Sequence, residues 1–360
     1  MNVCLQDSLA LLRKMVRIPS TTFNEKAVSD LLVSAMESWG MQPRRYGLNI
    51  VTVNRTYDAG RPTLVLDAHI DTVQPSDGYS RDPFDPGENE DVIYGLGSND
   101  DGASVVSMIA AFRMLKDREL PVNLVLCLSC QEEKNGDDGA RFMYGHDGPE
   151  EVRNASWVIF GEPTGMRVAT SERGLLVLDG TAVGVSGHAA RKEGVNALYL
   201  AMDDISALRS HVFSRISPIM GEVGLNVTMI SAGTAHNVIP DKCSFVVDIR
   251  PTEQYSNEEI LQELQSVCGS SLRARNLRNS SSATKADSPL LRTALRLGKE
   301  TFSSPTTSNW MVSGKDGIKM GPGDSSRSHH ADEYVLVSEI VQAVDGYVEF
   351  IEDFYGNTLE

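Results

Sequence analysis

Apolar residues recur at helical spacing over Ser8 to Arg17 and again over Lys26 to Trp39, after which Gly40 supplies a stop. The period then shortens. Thr63-Leu64-Val65-Leu66-Asp67-Ala68 reads as a buried strand, Ala103 to Leu115 as a helix, Val122 to Cys130 as a strand and Ala155 to Phe160 as a short strand. This alternation predicts an α/β sheet layered between helices. From Gly174 the texture changes: Leu175 to Val185, Leu225 to Ile230 and Cys243 to Ile249 read as strands, and Val195 to Leu208 and Asn257 to Val267 as helices. That run predicts a compact α+β unit of about a hundred residues. The polar stretch Asn279-Ser280-Ser281-Ser282-Ala283-Thr284 marks its exit, and Leu290 to Glu300 is helical again. Residues 174–282 are therefore expected as an insertion into a domain formed by residues 1–173 and 283–360.

The chain has 360 residues, 41% hydrophobic and 23% charged, which is ordinary globular composition and excludes a disordered or fibrous class. With 33 Lys+Arg against 49 Asp+Glu the net charge is -16, a field that repels nucleic acid and anionic membranes. Met1 to Ala10 lacks a basic segment leading into an apolar stretch, so no export is expected. Five scattered cysteines, an odd number, suit a reducing compartment, and the cytoplasm is the expected location. Cys127 and Cys130 form a C-x-x-C, but three residues apart in a strand means opposite faces, which argues against a shared metal or disulfide.

The candidate chemistry sits where strands end. His69-Ile70-Asp71 follows the first buried strand, so His69 and Asp71 share a face, and Asp71 is placed either to orient the imidazole or to touch a base. Gly95-Leu96-Gly97-Ser98-Asn99-Asp100-Asp101-Gly102 is a glycine-bracketed turn presenting carboxylates at a helix start; it lacks the spacing of a nucleotide loop, and alone it would read as capping. Gln131-Glu132-Glu133-Lys134 places adjacent carboxylates past a strand end, where they repel unless a cation lies beside them. Glu162 ends another apolar strand. Ser328-His329-His330-Ala331-Asp332-Glu333 follows a short one, and neighbours in extended chain face opposite ways, so a single histidine should reach a given metal. Two imidazoles and three carboxylates, His69, Asp100, Glu133, Glu162 and His329, are suitable donors for two zinc ions sharing one carboxylate.

These pieces, with Ser186-Gly187-His188, Asn237-Val238-Ile239-Pro240 and Gly161-Glu162-Pro163-Thr164, resemble in order the metallopeptidase family of acetylornithine deacetylase, succinyl-diaminopimelate desuccinylase and carboxypeptidase G. The resemblance implies a zinc-peptidase-like mixed sheet layered between helices, with an inserted ferredoxin-like lid and dimerisation domain. It implies that Asp100 bridges two Zn2+ ions, with Co2+ as the alternative, that His69 and Glu162 bind one, and that Glu133 and His329 bind the other. The family's spacing of four residues to Glu333 selects His329 over His330. It also implies Glu132 as general acid/base, Asp71 as support, His188 as a histidine offered by a partner subunit in a homodimer, and Arg250 and Asn237 as residues holding the substrate carboxylate or the domain junction. Gly95 to Asp100 and Ile318 to Gly323 look most similar to the acetylornithine deacetylase branch. The implied activity is removal of an acetyl or succinyl group from ornithine or a related amino acid, in arginine biosynthesis.

Two departures from the family pattern stand out. Asp101-Gly102 replaces a Met-Lys type pair, which is expected to add a negative charge beside the bridge. Ser308-Asn309-Trp310 stands where many relatives carry Ser-Asp, so any role of that aspartate is lost. The competing readings are a dipeptidase or aminotripeptidase on the same scaffold and a metal-free binding module.

Overall fold

The computed structural model describes residues 3–191 and 193–357. Its residues cluster into two compact units: Met1–Thr170 with Ala283–Phe302 and Ser308–Glu360, and Ser171–Ser282 with Ser303–Thr307. The segment Ser303–Thr307, expected with the larger domain, falls in the second unit, where the Ser171 and Ser303 hydroxyls lie 2.8 Å apart.

In the first unit the strand Thr63–His69 runs parallel to Asn123–Ser129 on one side and Trp157–Phe160 on the other, and Asp316–Lys319 continues the parallel set beyond Trp157–Phe160. Antiparallel Asn49–Val53 and Arg44–Tyr46 close one edge, so the sheet is mixed. Alternation divides its side chains between two cores. Leu64, Leu66, Leu124, Leu126 and Ile318 face the helices Val3–Val16, Lys26–Ser38, Ala103–Leu115 and Val337–Asn357. Val65, Val125, Val158 and Phe160 face Ala140–Tyr144, Glu150–Arg153 and Trp310–Ser313. Cys127 belongs to the second core and Cys130 to the first, and both thiols are free. Burial on both faces explains why these strands read as continuous apolar runs.

The expected helix Leu290 to Glu300 is shorter. It spans Pro289–Arg296, started by Ser288, whose hydroxyl accepts the Leu290 N–H, and stopped at Gly298, whose φ is +62°. Thr301–Ser304 is instead a strand.

The second unit runs strand, helix, two strands, helix, strand. Its antiparallel sheet has the order Gly224–Ala232, Lys242–Arg250, Leu176–Val183, Ser271–Ala274, with helices Ala197–Ser210 and Asn257–Val267, a ferredoxin-like arrangement. Leu176–Val183 alternates buried and part-exposed positions, as a sheet with one covered face requires. Gly224–Ala232 is an edge strand, and Met229 and Ile230 on it are 64% and 50% exposed. No helix among the described residues is long and apolar enough to cross a membrane.

Candidate metal centre

Parallel strands that end together place their following loops side by side, and this is how residues far apart in sequence converge. His69 is the last residue of its strand and lies opposite Ser129, the last of the neighbouring one. Its Nδ1–H donates to the Asp71 main-chain carbonyl at 3.0 Å. That contact fixes the tautomer and leaves Nε2 facing Asp100 Oδ1 at 3.1 Å. The Asp71 carboxylate does a second job: Oδ1 accepts the Glu132 N–H at 3.0 Å and Oδ2 the Glu133 N–H at 3.2 Å. The Asp71 main-chain oxygen thus contacts the His69 ring, while its side chain contacts the main chain of both glutamates.

Asp100 addresses two imidazoles at once. Its Oδ1 faces His69, and its Oδ2 lies 3.7 Å from His329 Nε2, which is also 3.0 Å from Glu133 Oε2. Among the described residues, two triples bring donor atoms within 4.8 Å of one another: His69, Glu132 and Glu133, and Asp100, Glu133 and His329. Glu162 stands outside both. It lies 3.9 Å from the ammonium of Lys319, a lysine with 1% of its side chain exposed. His330 joins neither triple. The reason is not the alternation expected of extended chain, because His329 adopts φ +60° and the segment turns there.

The field inside this cleft is strongly acidic. Burial raises the Glu132 carboxyl well above its ordinary range, and Glu133, Glu162 and Asp71 add to the rise against the pull of His69. Burial likewise raises Glu133. Asp100 is held low despite burial, by its hydrogen bond to His69 and by both histidines' charge. His69 is raised well above the imidazole range even though burial opposes its charge, because Asp100 and Asp71 bond it. Carboxylates crowded this closely either take up protons or hold cations among them, and imidazole plus carboxylate donors at these separations suit divalent zinc-like ions. The residues therefore fit a two-metal site.

Asp101, beside the candidate bridge, is 1% exposed; burial, with Glu162 and Asp100 beside it, raises its carboxyl well above the ordinary range against the pull of His69. Its Oδ2 accepts the His69 N–H at 3.2 Å.

Three supporting residues escaped the sequence reading. Buried Glu333 accepts the N–H groups of Gly97, Asn99 and Asp100 at 3.1, 2.9 and 2.9 Å, shaping the turn that presents Asp100; burial first, then Asp100, pushes its carboxyl up to about 8. Asn309, at the position of the lost aspartate, makes contacts of its own: its amide donates to Asp67 Oδ1 at 2.9 Å and to Ser129 Oγ at 2.8 Å, tying the two neighbouring strands together. Burial raises the Asp67 carboxyl to about 6 against the bonds from Asn309 and Tyr144. An acid in the middle of an apolar strand was the available signal.

The remaining candidates lie in the second unit. His188 pairs with Val238 in a short ladder, so Ser186-Gly187-His188 and Asn237-Val238-Ile239-Pro240 meet, and the Asn237 carbonyl accepts the Ala189 N–H at 3.0 Å. The Ala190 N–H donates to His188 Nδ1 at 3.1 Å, which leaves Nε2–H as an outward donor in the neutral ring. Arg250 is paired with Asp248 at 2.8 Å.

One pH dependence follows from His329. Its hydrogen bond to Glu133 raises it to about 9, against burial and with help from Asp100, so in the metal-free protein it holds a proton at neutral pH. A metal must displace that proton. Calorimetric titration with ZnCl2 in buffers of different ionisation enthalpy should show proton release and an affinity that climbs with pH toward about 9; an affinity flat from about pH 6 to 9 would contradict it. The stability linkage has the opposite sense. The raised imidazole stabilises the metal-free fold fully below its ordinary 6.5, and that contribution is lost as pH rises through about 9.

Comparison with known proteins places the chain in a family. The chain is 24% identical to a succinyl-diaminopimelate desuccinylase of Ehrlichia ruminantium, over 97% of this chain and 98% of that one. It is 26% identical to an acetylornithine deacetylase of Myxococcus xanthus, over 96% and 97%. In fold it resembles a tripeptidase of Staphylococcus aureus, with a TM-score of 0.77 and 18% identity over 98% of this chain and 99% of the other. It also resembles a dinuclear metal binding peptidase of Bacillus subtilis, with a TM-score of 0.73 and 15% identity over 97% of each chain. Residues 65–353 match the model of peptidase family M20/M25/M40, and the chain belongs to that family of metal-dependent, amide-hydrolysing enzymes.

Proposed function

We propose that the protein removes an acetyl or succinyl group from the amine of ornithine or a related amino acid, as a step of arginine biosynthesis in the cytoplasm. The observation that carries this reading is Asp100 presenting one oxygen to each of two histidines, with Glu132 alongside. The names of the curated relatives support the substrate class.

His69 and Glu162 would hold one zinc ion, Glu133 and His329 the other, and Asp100 both; Co2+ suits the same donors. Two such ions supply Lewis-acid polarisation of the acyl oxygen and acidify water. Glu132 takes the proton of the attacking water and returns it to the leaving amine. Asp71 keeps Glu132 and Glu133 in register through their N–H groups. His188, offered by a second copy, donates Nε2–H to the tetrahedral oxyanion, and Arg250 and Asn237 hold the substrate carboxylate. The inserted unit acts as lid and dimerisation domain.

A hydrolysis screen over acetyl, succinyl and carbamoyl derivatives of ornithine, citrulline, lysine and diaminopimelate, beside a dipeptide and tripeptide panel, tests the proposal. Turnover of an acyl amino acid supports it; turnover of peptides alone replaces it with the peptidase reading. Release of metal-free, inactive protein under all loading conditions would leave only a binding module.

The homodimer has its own support in the second unit. The edge strand Gly224–Ala232 leaves main-chain groups and the apolar Met229 and Ile230 open, beside Met202 at 55% exposed. Exposed apolar edges are avoided unless something covers them, and a second copy covers both the strand and the groove that Met202 and Ile205 line with Val227 to Ile230. Ile230→Lys should convert a dimer to a monomer in sedimentation equilibrium. A wild-type protein that is monomeric at about 10 μM, against the affinity expected of a stable interface, would end the idea.

A further inference from the structure

The turn between the first two helices holds an acid with no part in the reaction as described. Glu25 directly precedes the helix Lys26–Ser38 and is completely buried, yet its side chain does not cap that helix. Instead Oε1 accepts the main-chain N–H of Gln131 at 3.1 Å. Asp71 accepts the next two N–H groups, of Glu132 and Glu133. Three consecutive N–H groups therefore end on two buried carboxylates.

Gln131 needs such a hold. Its φ is +61°, a left-handed conformation that side-chain-bearing residues adopt at a cost and keep only when their surroundings impose it. The turn carrying Glu25 is itself fastened to the segment after His69: Thr22 donates its N–H to the Thr72 carbonyl at 3.1 Å and its hydroxyl to Asp71 Oδ2 at 2.8 Å. Fold stability alone is a poor reason for this choice, because a buried carboxylate is costly to desolvate even with the main-chain N–H groups of Phe23 and Gln131 turned to it.

We infer that Glu25 is a positioning residue: by holding the Gln131 N–H it fixes the left-handed bend that presents Glu132 and Glu133 to the cleft. The inference rests on the reading of Glu132 as the base, but its geometry is testable without substrate.

Two conservative variants separate reach from charge. Glu25→Gln keeps an acceptor oxygen at the same distance and loses the charge. Glu25→Asp keeps the charge and is one methylene, about 1.5 Å, too short. In the zinc-loaded enzyme Glu25→Asp should lower kcat by about 10–100-fold with KM within about twofold and two metals retained, whereas Glu25→Gln stays within about threefold of wild type. Independently of activity, amide exchange at Gln131 should speed by about tenfold in Glu25→Asp and not in Glu25→Gln. A Gln variant as impaired as the Asp variant, or an Asp variant with wild-type exchange, would overturn the inference. If the wild-type enzyme hydrolyses no acyl amino acid, the proposed function fails while the exchange comparison still decides the role of Glu25.

Discussion

Glu132→Gln should lower kcat by about 10²–10⁴-fold while both metals remain bound. The loss corresponds to about 3–5 kcal/mol of transition-state stabilisation. Glutamine has the shape of glutamate, so the main-chain N–H groups of residues 132 and 133 should stay on Asp71 and Glu133 should keep its contact with His329. What disappears is a carboxylate able to accept and return a proton. Because Glu132 also falls within donor distance of His69 and Glu133, a ligand role competes with the base role, and metal analysis separates them. Loss of one metal along with activity would make Glu132 a ligand, and wild-type turnover with two metals would remove it from the mechanism.

Asp100→Asn tests the shared carboxylate. One side chain faces both imidazoles, so losing its charge weakens both positions together, and the expected result is an affinity loss of at least about 100-fold for metal and turnover below about one thousandth of wild type at limiting zinc. Glu333 holds the turn through the N–H groups of Gly97, Asn99 and Asp100, so the backbone should survive the change. Metal content by plasma mass spectrometry after dialysis, with circular dichroism as the fold control, checks this. An Asn variant that retains two tightly bound metals would show that Asp100 does not serve both positions.

The α/β sheet, its helices and the second α+β unit were legible because burial on two faces or one leaves different periodicities in sequence, whereas the mixed pairing and the ferredoxin-like topology were implied only by the family resemblance. Leu64-Val65-Leu66 shows the first pattern and the alternation of Leu176–Val183 the second. The residues gathered in the cleft were legible as donor types at strand ends. Sequence could not show the supports that act through the main chain. Glu333 and Glu25 both bind N–H groups more than a hundred residues away, and no side-chain pattern records which backbone groups are left to be satisfied. The contacts of Asn309 were hidden for a related reason: they depend on Asp67, a strand residue 242 positions earlier. The helix after Pro289 was overextended because Leu297 continues the apolar spacing, whereas Gly298 decides where the helix ends.

Asp71 touches the imidazole through its carbonyl and the two glutamates through its carboxylate. Such a junction makes the errors of one group the errors of the next. Substitutions at His69, Glu132 and Glu133 will therefore not behave as independent events when combined, and double variants should fall short of the product of their single effects. Kinetic dissection of this cleft has to proceed by cycles of paired changes, with Asp71 as the node through which their energies are shared.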